Sequence, residues 1–224
     1  MRIGLLGGTG DLGRGLALRW ARRHEIFVGS RDARRGQETA ATYAALARQA
    51  YGGRVQAIRG DANETIAAMA DTLILTLPAG TSVEYLKQLK RNIAATALVV
   101  SPVVFMRKTA GIFTYVASAS ADGPGSIAEA FARELKPIRV VAAFHTVPAG
   151  KLADPRAVVE GDVLIASDDR ASFDTVAALV REIPKLRPLS AGPLAVARLI
   201  EPLTPLLLNV GIRNRLREPS LRIV

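Results

Sequence analysis

Apolar residues in this chain gather into short unbroken runs, and the stretches between them carry apolar positions at helical spacing. Runs at 2–6, 25–29, 72–78, 97–102 and 139–145 read as strands. Their apolar character is nearly continuous, which suits parallel strands covered on both faces. Residues 55–58 alternate and predict a more exposed strand. Helices are predicted from the glycines after the first strand to about 23–24, and over 32–50 up to the stop signal Tyr51-Gly52-Gly53. Asp61-x-x-Glu64, Thr81-x-x-Glu84 and Ser126-x-x-Glu129 each have the form of a capping box, a side-chain acceptor followed three residues later by a carboxylate. They open three further helices. Strand and helix thus alternate with right-handed crossovers, the signature of a doubly wound α/β sheet.

The rhythm breaks between Val103 and Gly125, where glycine, serine and proline predict one long connection of the kind that usually has a task. After residue 150 the pattern changes to a strand at 161–167, a helix at 172–181, a short strand at 186–189 and an apolar helical stretch at 191–213. Pro193 suits a helix start, and Pro202 and Pro205 must kink or restart the helix. We therefore expect a Rossmann-type, mostly parallel sheet over residues 1–148 and a small α+β lobe over 149–224.

With 224 residues the chain can bury one substantial core. No uninterrupted apolar run reaches the roughly 18 residues of a membrane span, and nothing resembles an export signal, so a soluble cytoplasmic protein is expected. The lack of cysteine excludes disulfide and thiolate chemistry, and two histidines without a carboxylate pattern predict no metal site. The formal charge of +10 is largely arginine at 19–23, 31–35 and 213–222. Such an excess favours a polyanionic partner, either nucleic acid or a small ligand. With only 5% aromatic residues there is no stacking platform, so the helix-borne arginines read as basic surface and no nucleic acid is expected.

The chemistry begins in the first loop, Gly7-Gly8-Thr9-Gly10-Asp11-Leu12-Gly13, whose Gly8, Gly10 and Gly13 have the spacing G-x-G-x-x-G between strand and helix. Gly8 would make the tight turn, Gly10 would admit a pyrophosphate to the backbone, and Gly13 would let helix pack on strand. The free N–H groups of the helix start suit the phosphates. At the end of the second strand, where NAD-binding units carry an acidic residue, this chain has Gly29-Ser30-Arg31 followed by Arg34 and Arg35. A hydroxyl and guanidiniums suit a 2′-phosphate, which predicts NADP(H).

These residues, with Thr76-Leu77-Pro78, Val100-Ser101-Pro102, His145-Thr146-Val147-Pro148-Ala149, the run 186–194 and the run 203–210, resemble the coenzyme F420-dependent NADP oxidoreductases over nearly the whole chain. The resemblance implies reversible hydride transfer between NADP(H) and the deazaflavin coenzyme F420 by a homodimer. It implies phosphate contacts at Thr9, Ser30, Arg31 and one of Arg34 and Arg35. It places the deazaflavin near His145, Pro148, Ala149 and Leu207.

Ligands of such sheets lie beyond the carboxyl ends of the strands, where Thr76, Leu77, Pro78, Ser101, Pro102, His145 and Thr146 fall. Hydride transfer between two carriers asks the protein mainly for distance and orientation. His145 is the candidate catalytic residue, as a hydrogen-bond partner of the deazaflavin, or else a ring that serves the backbone at a strand end. The run 203–210 reads as core, dimer interface or ring wall. Two other functions remain open: an NADPH-dependent reductase of an imine, ketone or metal ion, with His145 or Glu201 as its acid, and a non-catalytic NADP sensor.

Overall fold

The computed structural model describes residues 1–77, 83–120 and 123–224. The chain runs β1 (Arg2–Leu6), α1 (Asp11–Trp20), β2 (Glu25–Ser30), α2 (Ala33–Tyr51), β3 (Ile58–Ala62), α3 (Asn63–Met69), β4 (Thr72–Leu75), α4 (Val83–Lys90) and β5 (Leu98–Ser101). It continues through β6 (Met106–Thr109), β7 (Ile112–Tyr115), β8 (Ser118–Ser120), β9 (Gly123–Gly125), α5 (Ile127–Leu135), β10 (Arg139–Ala142) and α6 (Ala149–Ala153). The last elements are β11 (Gly161–Ala166), α7 (Arg170–Arg181), β12 (Leu186–Gly192), α8 (Ala197–Ile200) and α9 (Leu203–Asn214).

Eight strands form one sheet among the described residues, in the order β12-β11-β10-β5-β4-β1-β2-β3. The six from β3 to β10 are parallel, and the winding reverses between β1 and β4, where an α/β sheet of this order opens a crevice. The apolar runs divide between two cores by strict alternation. Ile3, Leu5, Ile26, Val28, Ile74 and Val100 pack under α1, α2, α6 and α7. Leu6, Phe27, Leu73, Leu75 and Val99 pack under α3, α4, α5 and α8. Both layers are apolar, so the period of two is invisible in the sequence.

Residues after 148 continue this sheet. β11 joins antiparallel to β10 through Ala142 and Ala166, and β12 runs parallel to β11. The expected boundary at 148/149 therefore has no break in the sheet beneath it. The helices interlock across it as well. Gly15 lies so close to Leu152 that a Cβ there would meet its side chain at 2.6 Å. The Arg19 guanidinium donates to the carbonyls of Leu152, Asp154 and Ala157, and the Trp20 indole N–H donates to Leu179 at 3.0 Å. Arg19 is thus a structural tie, although its sequence context reads as basic surface.

Three local expectations are corrected. The third strand lies at Ile58–Ala62 and not at 55–58, because parallel pairing sets Ile26 beside Ile58 and Ser30 beside Ala62. Asp61 consequently belongs to β3, and α3 starts after Ala62 with no side-chain cap. The stretch from Val103 to Gly125 contains two hairpins, β6–β7 and β8–β9, where a single connection was expected. The first turns on Ala110-Gly111, both at positive φ (48° and 80°), without the Asn-Gly or Asp-Gly pair that announces such a turn.

Other local readings match. Ser126 with Glu129 forms the expected capping box. The helix expected from residue 32 is also present, and its cap is an addition to that reading: Asp32 accepts from the Arg35 amide. The proposed cap Thr81 lies outside the described residues. Pro202 precedes α9 and Pro205 sits in its first turn, where no N–H is needed. By length and composition, 194–214 is long and apolar enough to cross a membrane. Glu201 and Pro202 divide this stretch, which the count of uninterrupted apolar residues had passed over.

Candidate functional site

At the crevice between β1 and β4 the chain turns through Gly7 to Gly10 into α1. Three distant groups fix the turn. The Gly7 amide donates to the buried Asn63 side chain at 2.9 Å, and the Gly8 amide donates to the carbonyls of Leu5 and Gly29. The Tyr43 hydroxyl donates to the Gly8 carbonyl at 3.1 Å. Burial pushes that hydroxyl's pKa up to about 12, so it stays protonated and donating. Asn63 and Tyr43 escaped the sequence reading because neither carries a local signal. Asn63 sits at a helix start and Tyr43 within a core pattern.

Gly13 packs directly on the turn, and a Cβ there would lie 2.3 Å from the Gly8 carbonyl oxygen. Gly10 is the opposite case: nothing stands within 4 Å of where its Cβ would be. Gly10 is the N-cap of α1 and supplies no side-chain bond, so the first amides of that helix face open space. Positive φ falls at Gly7 (72°) rather than at Gly8, which shifts the sharp bend by one residue from the expected place.

A cavity of about 300 Å³ opens over this turn. Of the predicted residues, Gly10, Asp11, Leu12, Gly13, Thr76, Leu77, Pro102 and Ala149 line it. Met106 and Thr204 form its far wall with Val103 and Val104. Thr204 belongs to the run 203–210 read as core, interface or ring wall, and the other three to the long connection after Val103, but none of the four was singled out as a site residue. The Thr76 hydroxyl donates to the Leu6 carbonyl at 3.0 Å, which leaves its oxygen free to accept. Apart from Asp11, on the glycine side, no described lining residue is ionisable.

Ser30, at the end of β2, is buried, and its oxygen accepts from the Asp32 amide at 3.3 Å, leaving its hydroxyl proton to donate. The neighbouring carboxylate of Asp32 is turned away to cap α2. Arg34 pairs with Glu38 at 2.8 Å on the outer face of α2. Arg31 and Arg35 are exposed, and their charges reach Tyr85 and Tyr43 respectively, on either side of the turn.

The remaining predicted residues lie behind the cavity or away from it. Pro148 faces a second, more polar groove with Lys151, Glu160 and Arg222. Ser101 is fully buried and its hydroxyl has no partner among the described residues. Thr9 and Leu207 are half-buried, Thr146 is buried, and Pro78 lies outside the described residues. His145 is 7% exposed, and neither ring nitrogen has a partner among the described residues. Burial alone depresses its pKa to about 3, so the ring is neutral at ordinary pH. Its carbonyl accepts from the Thr204 hydroxyl at 2.9 Å and so reaches the cavity indirectly.

The family model described as NADP oxidoreductase, coenzyme F420-dependent, matches residues 2–104. The F420-dependent NADP reductase of Methanothermobacter thermautotrophicus is 35% identical over 100% of this chain and 94% of its own length. That of Methanocaldococcus jannaschii is 32% identical over 100% of this chain and 98% of its own. Among solved structures, a candidate F420-dependent NADP reductase from Arthrobacter sp. FB24 superposes with a TM-score of 0.79 at 23% identity, over 100% of this chain and 99% of that one.

Proposed function

This chain belongs to the coenzyme F420-dependent NADP oxidoreductases, and from that membership and the cavity we infer how its residues divide the work. It is an oxidoreductase that moves a hydride reversibly between NADP(H) and the deazaflavin coenzyme F420. The two carriers supply the redox chemistry, and the protein supplies their binding and alignment. The observation that carries our assignment of roles is the contrast across the cavity. One side presents uncapped helix amides and an open glycine, and the other presents apolar and hydroxyl groups only.

The N-terminus of α1 fits a pyrophosphate, with Gly8, Thr9, Gly10, Asp11, Leu12 and Gly13 around it. Ser30, Arg31 and Arg35 hold the 2′-phosphate, and Arg34 is left to its ion pair with Glu38. Thr76, Leu77 and Pro102 border the nicotinamide. Ala149, Met106 and Thr204 form the deazaflavin side, so residues after 148 complete a site begun by the first half.

His145 works as a neutral ring behind this wall, its carbonyl holding Thr204, and the proton that accompanies the hydride comes from water. Neither His145 nor Glu201 is free to serve as the acid that reduction of an imine or ketone would need. Glu201 is buried in another task, described below.

Leu199, Leu206, Ile212 and Leu216 are more than half exposed on α8, α9 and the turn after them. These exposed apolar side chains are the ones we assign to a contact with a second copy of the chain. We place this dimer in the cytoplasm with its two water-soluble carriers. A mass of one chain by light scattering at micromolar concentration would remove the dimer.

The activity is tested by mixing the purified protein with NADPH and oxidised F420 and following the deazaflavin's visible absorbance. Bleaching is expected. Its absence at every pH from about 5 to 9, the span of ordinary catalytic pKa values, would overturn the assignment.

A further inference from the structure

Glu201 is an ionisable group at the centre of a polar cluster that the hydride transfer does not use. It ends α8 and is 0% exposed. One carboxylate oxygen accepts from the Ile127 amide at 3.0 Å and from the Tyr115 hydroxyl at 2.7 Å, and the other accepts from the Ala128 amide at 3.0 Å. Ser126 and Glu129 exchange bonds around the same helix start, and Arg198 donates to Glu129 at 2.5 Å. The leading amides of α5 are therefore all satisfied from within the chain, and this helix start has none left for a ligand.

Tyr115 is the member that reaches outward. It stands directly opposite Met106 in the β6–β7 hairpin, and Met106 lines the cavity facing the glycine turn. On the other edge, the Phe113 amide donates to the Asn209 side chain at 2.8 Å and the Phe113 carbonyl accepts from it at 2.7 Å. The hairpin is thus bound at two points to the α8–α9 segment. Thr204, three residues past Glu201, lines the same cavity. Met106 and Thr204, both in the far wall, are referred back to one buried carboxylate.

We propose that Glu201 is a positioning residue for the deazaflavin side of the site. Through Tyr115 it seats the hairpin so that Met106 closes the cavity, and through α9 it holds Thr204 in the same wall. The proposal rests on the proposed function for the identity of the ring that docks there. The ionised carboxylate accepts from all three donors at once. The titratable groups facing it are Glu129, itself paired with Arg198, and the Tyr115 hydroxyl, held protonated and neutral by burial and by the Glu201 charge.

The test is Tyr115→Phe, which removes one hydroxyl, keeps the ring and leaves α5 capped. In the ligand-free protein, hydrogen exchange at the Phe113 and Val116 amides should accelerate about tenfold, matching the loss of one hydrogen bond to a charged group. Kd and KM for F420 should rise about tenfold. Affinity for NADP should stay within about twofold and kcat within about threefold, since no bond to the glycine turn has changed.

Glu201→Gln should act in the same direction. The double variant should raise KM by less than the product of the two single effects, because both act through the same seat of the hairpin. Unchanged exchange together with unchanged F420 affinity in Tyr115→Phe overturns the proposal, as does an equal loss for both carriers. If the wild-type protein leaves F420 unreduced, the hydride-transfer reading falls by itself, and faster hairpin exchange in the variant still supports the seating.

Discussion

Two helices start at the carboxyl-terminal side of this sheet and finish their N-termini in opposite ways. α1 begins at Gly10 with no side-chain cap and nothing within 4 Å of that glycine's missing Cβ. α5 begins at Ser126 with its amides taken by Ser126, Glu129 and Glu201. Each start carries the same partial positive charge and the same free donors. What distinguishes them is whether the chain supplies its own carboxylate. The open start is the one we assign to the phosphates of a ligand, and the closed one is the anchor we propose for the wall opposite.

Filling the open start should have the largest effect. A Cβ at position 13 would lie 2.3 Å from the Gly8 carbonyl oxygen, so Gly13→Ala must push the turn apart. We expect a loss of about 1 to 3 kcal/mol in stability and NADP binding below about one hundredth of wild type. Gly10→Ala separates the two effects, because its Cβ meets only open space. Its melting temperature should match wild type while its NADP affinity falls about tenfold. Equal melting temperatures and equal affinities for both variants would erase the contrast between helix starts.

The next effect concerns which dinucleotide the open start takes. Ser30→Ala with Arg31→Ala removes a free hydroxyl proton and an exposed guanidinium. At about 1.5 to 3 kcal/mol for each hydrogen bond to a charged group, affinity for NADP should fall about a hundredfold. Binding of NAD should hardly change, and titration of both nucleotides checks it. Matching losses would move the phosphate site elsewhere.

The closed start should announce itself through pH. Burial raises the Glu201 carboxyl from its ordinary 4.5 to about 7, against the amides of Ile127 and Ala128 and the Tyr115 hydroxyl, which favour its charge. A pKa raised by folding contributes stability that is complete below about 4.5 and is lost as pH climbs through about 7. At about 1.4 kcal/mol per unit this amounts to at most about 3.5 kcal/mol. Glu129, held low chiefly by Arg198 and Ser126 against its burial, acts with the opposite sign at the acid end. Urea unfolding of wild type and Glu201→Gln between pH 4.5 and 8 should show the wild-type slope disappear in the variant. Parallel curves would show that Glu201 does not titrate in this window.

Much of the open start was legible in the sequence. The glycine spacing, the apolar run before it and Ser30-Arg31 at the end of β2 all lie within a few residues of the structure they encode. The closed start was half legible. Ser126-x-x-Glu129 announced its capping box, but Glu201 read only as a candidate acid for another reductase. Asn63 and Tyr43 were missed for the same reason: each does its work against a residue far along the chain.

The sequence by itself determined the alternation that winds the sheet, the glycine turn that we assign to the dinucleotide and the Ser30-Arg31 pair that we assign to its 2′-phosphate. Backbone geometry and hydrogen bonding over three or four residues are enough for each of these. Only the tertiary structure decided which of two apolar faces each strand residue covers, that the segment after 148 completes the same sheet, and that His145 is shut away as a neutral ring. It also decided which helix start stays open. That choice depends on a carboxylate 74 residues from the amide it satisfies, and no local pattern can carry it.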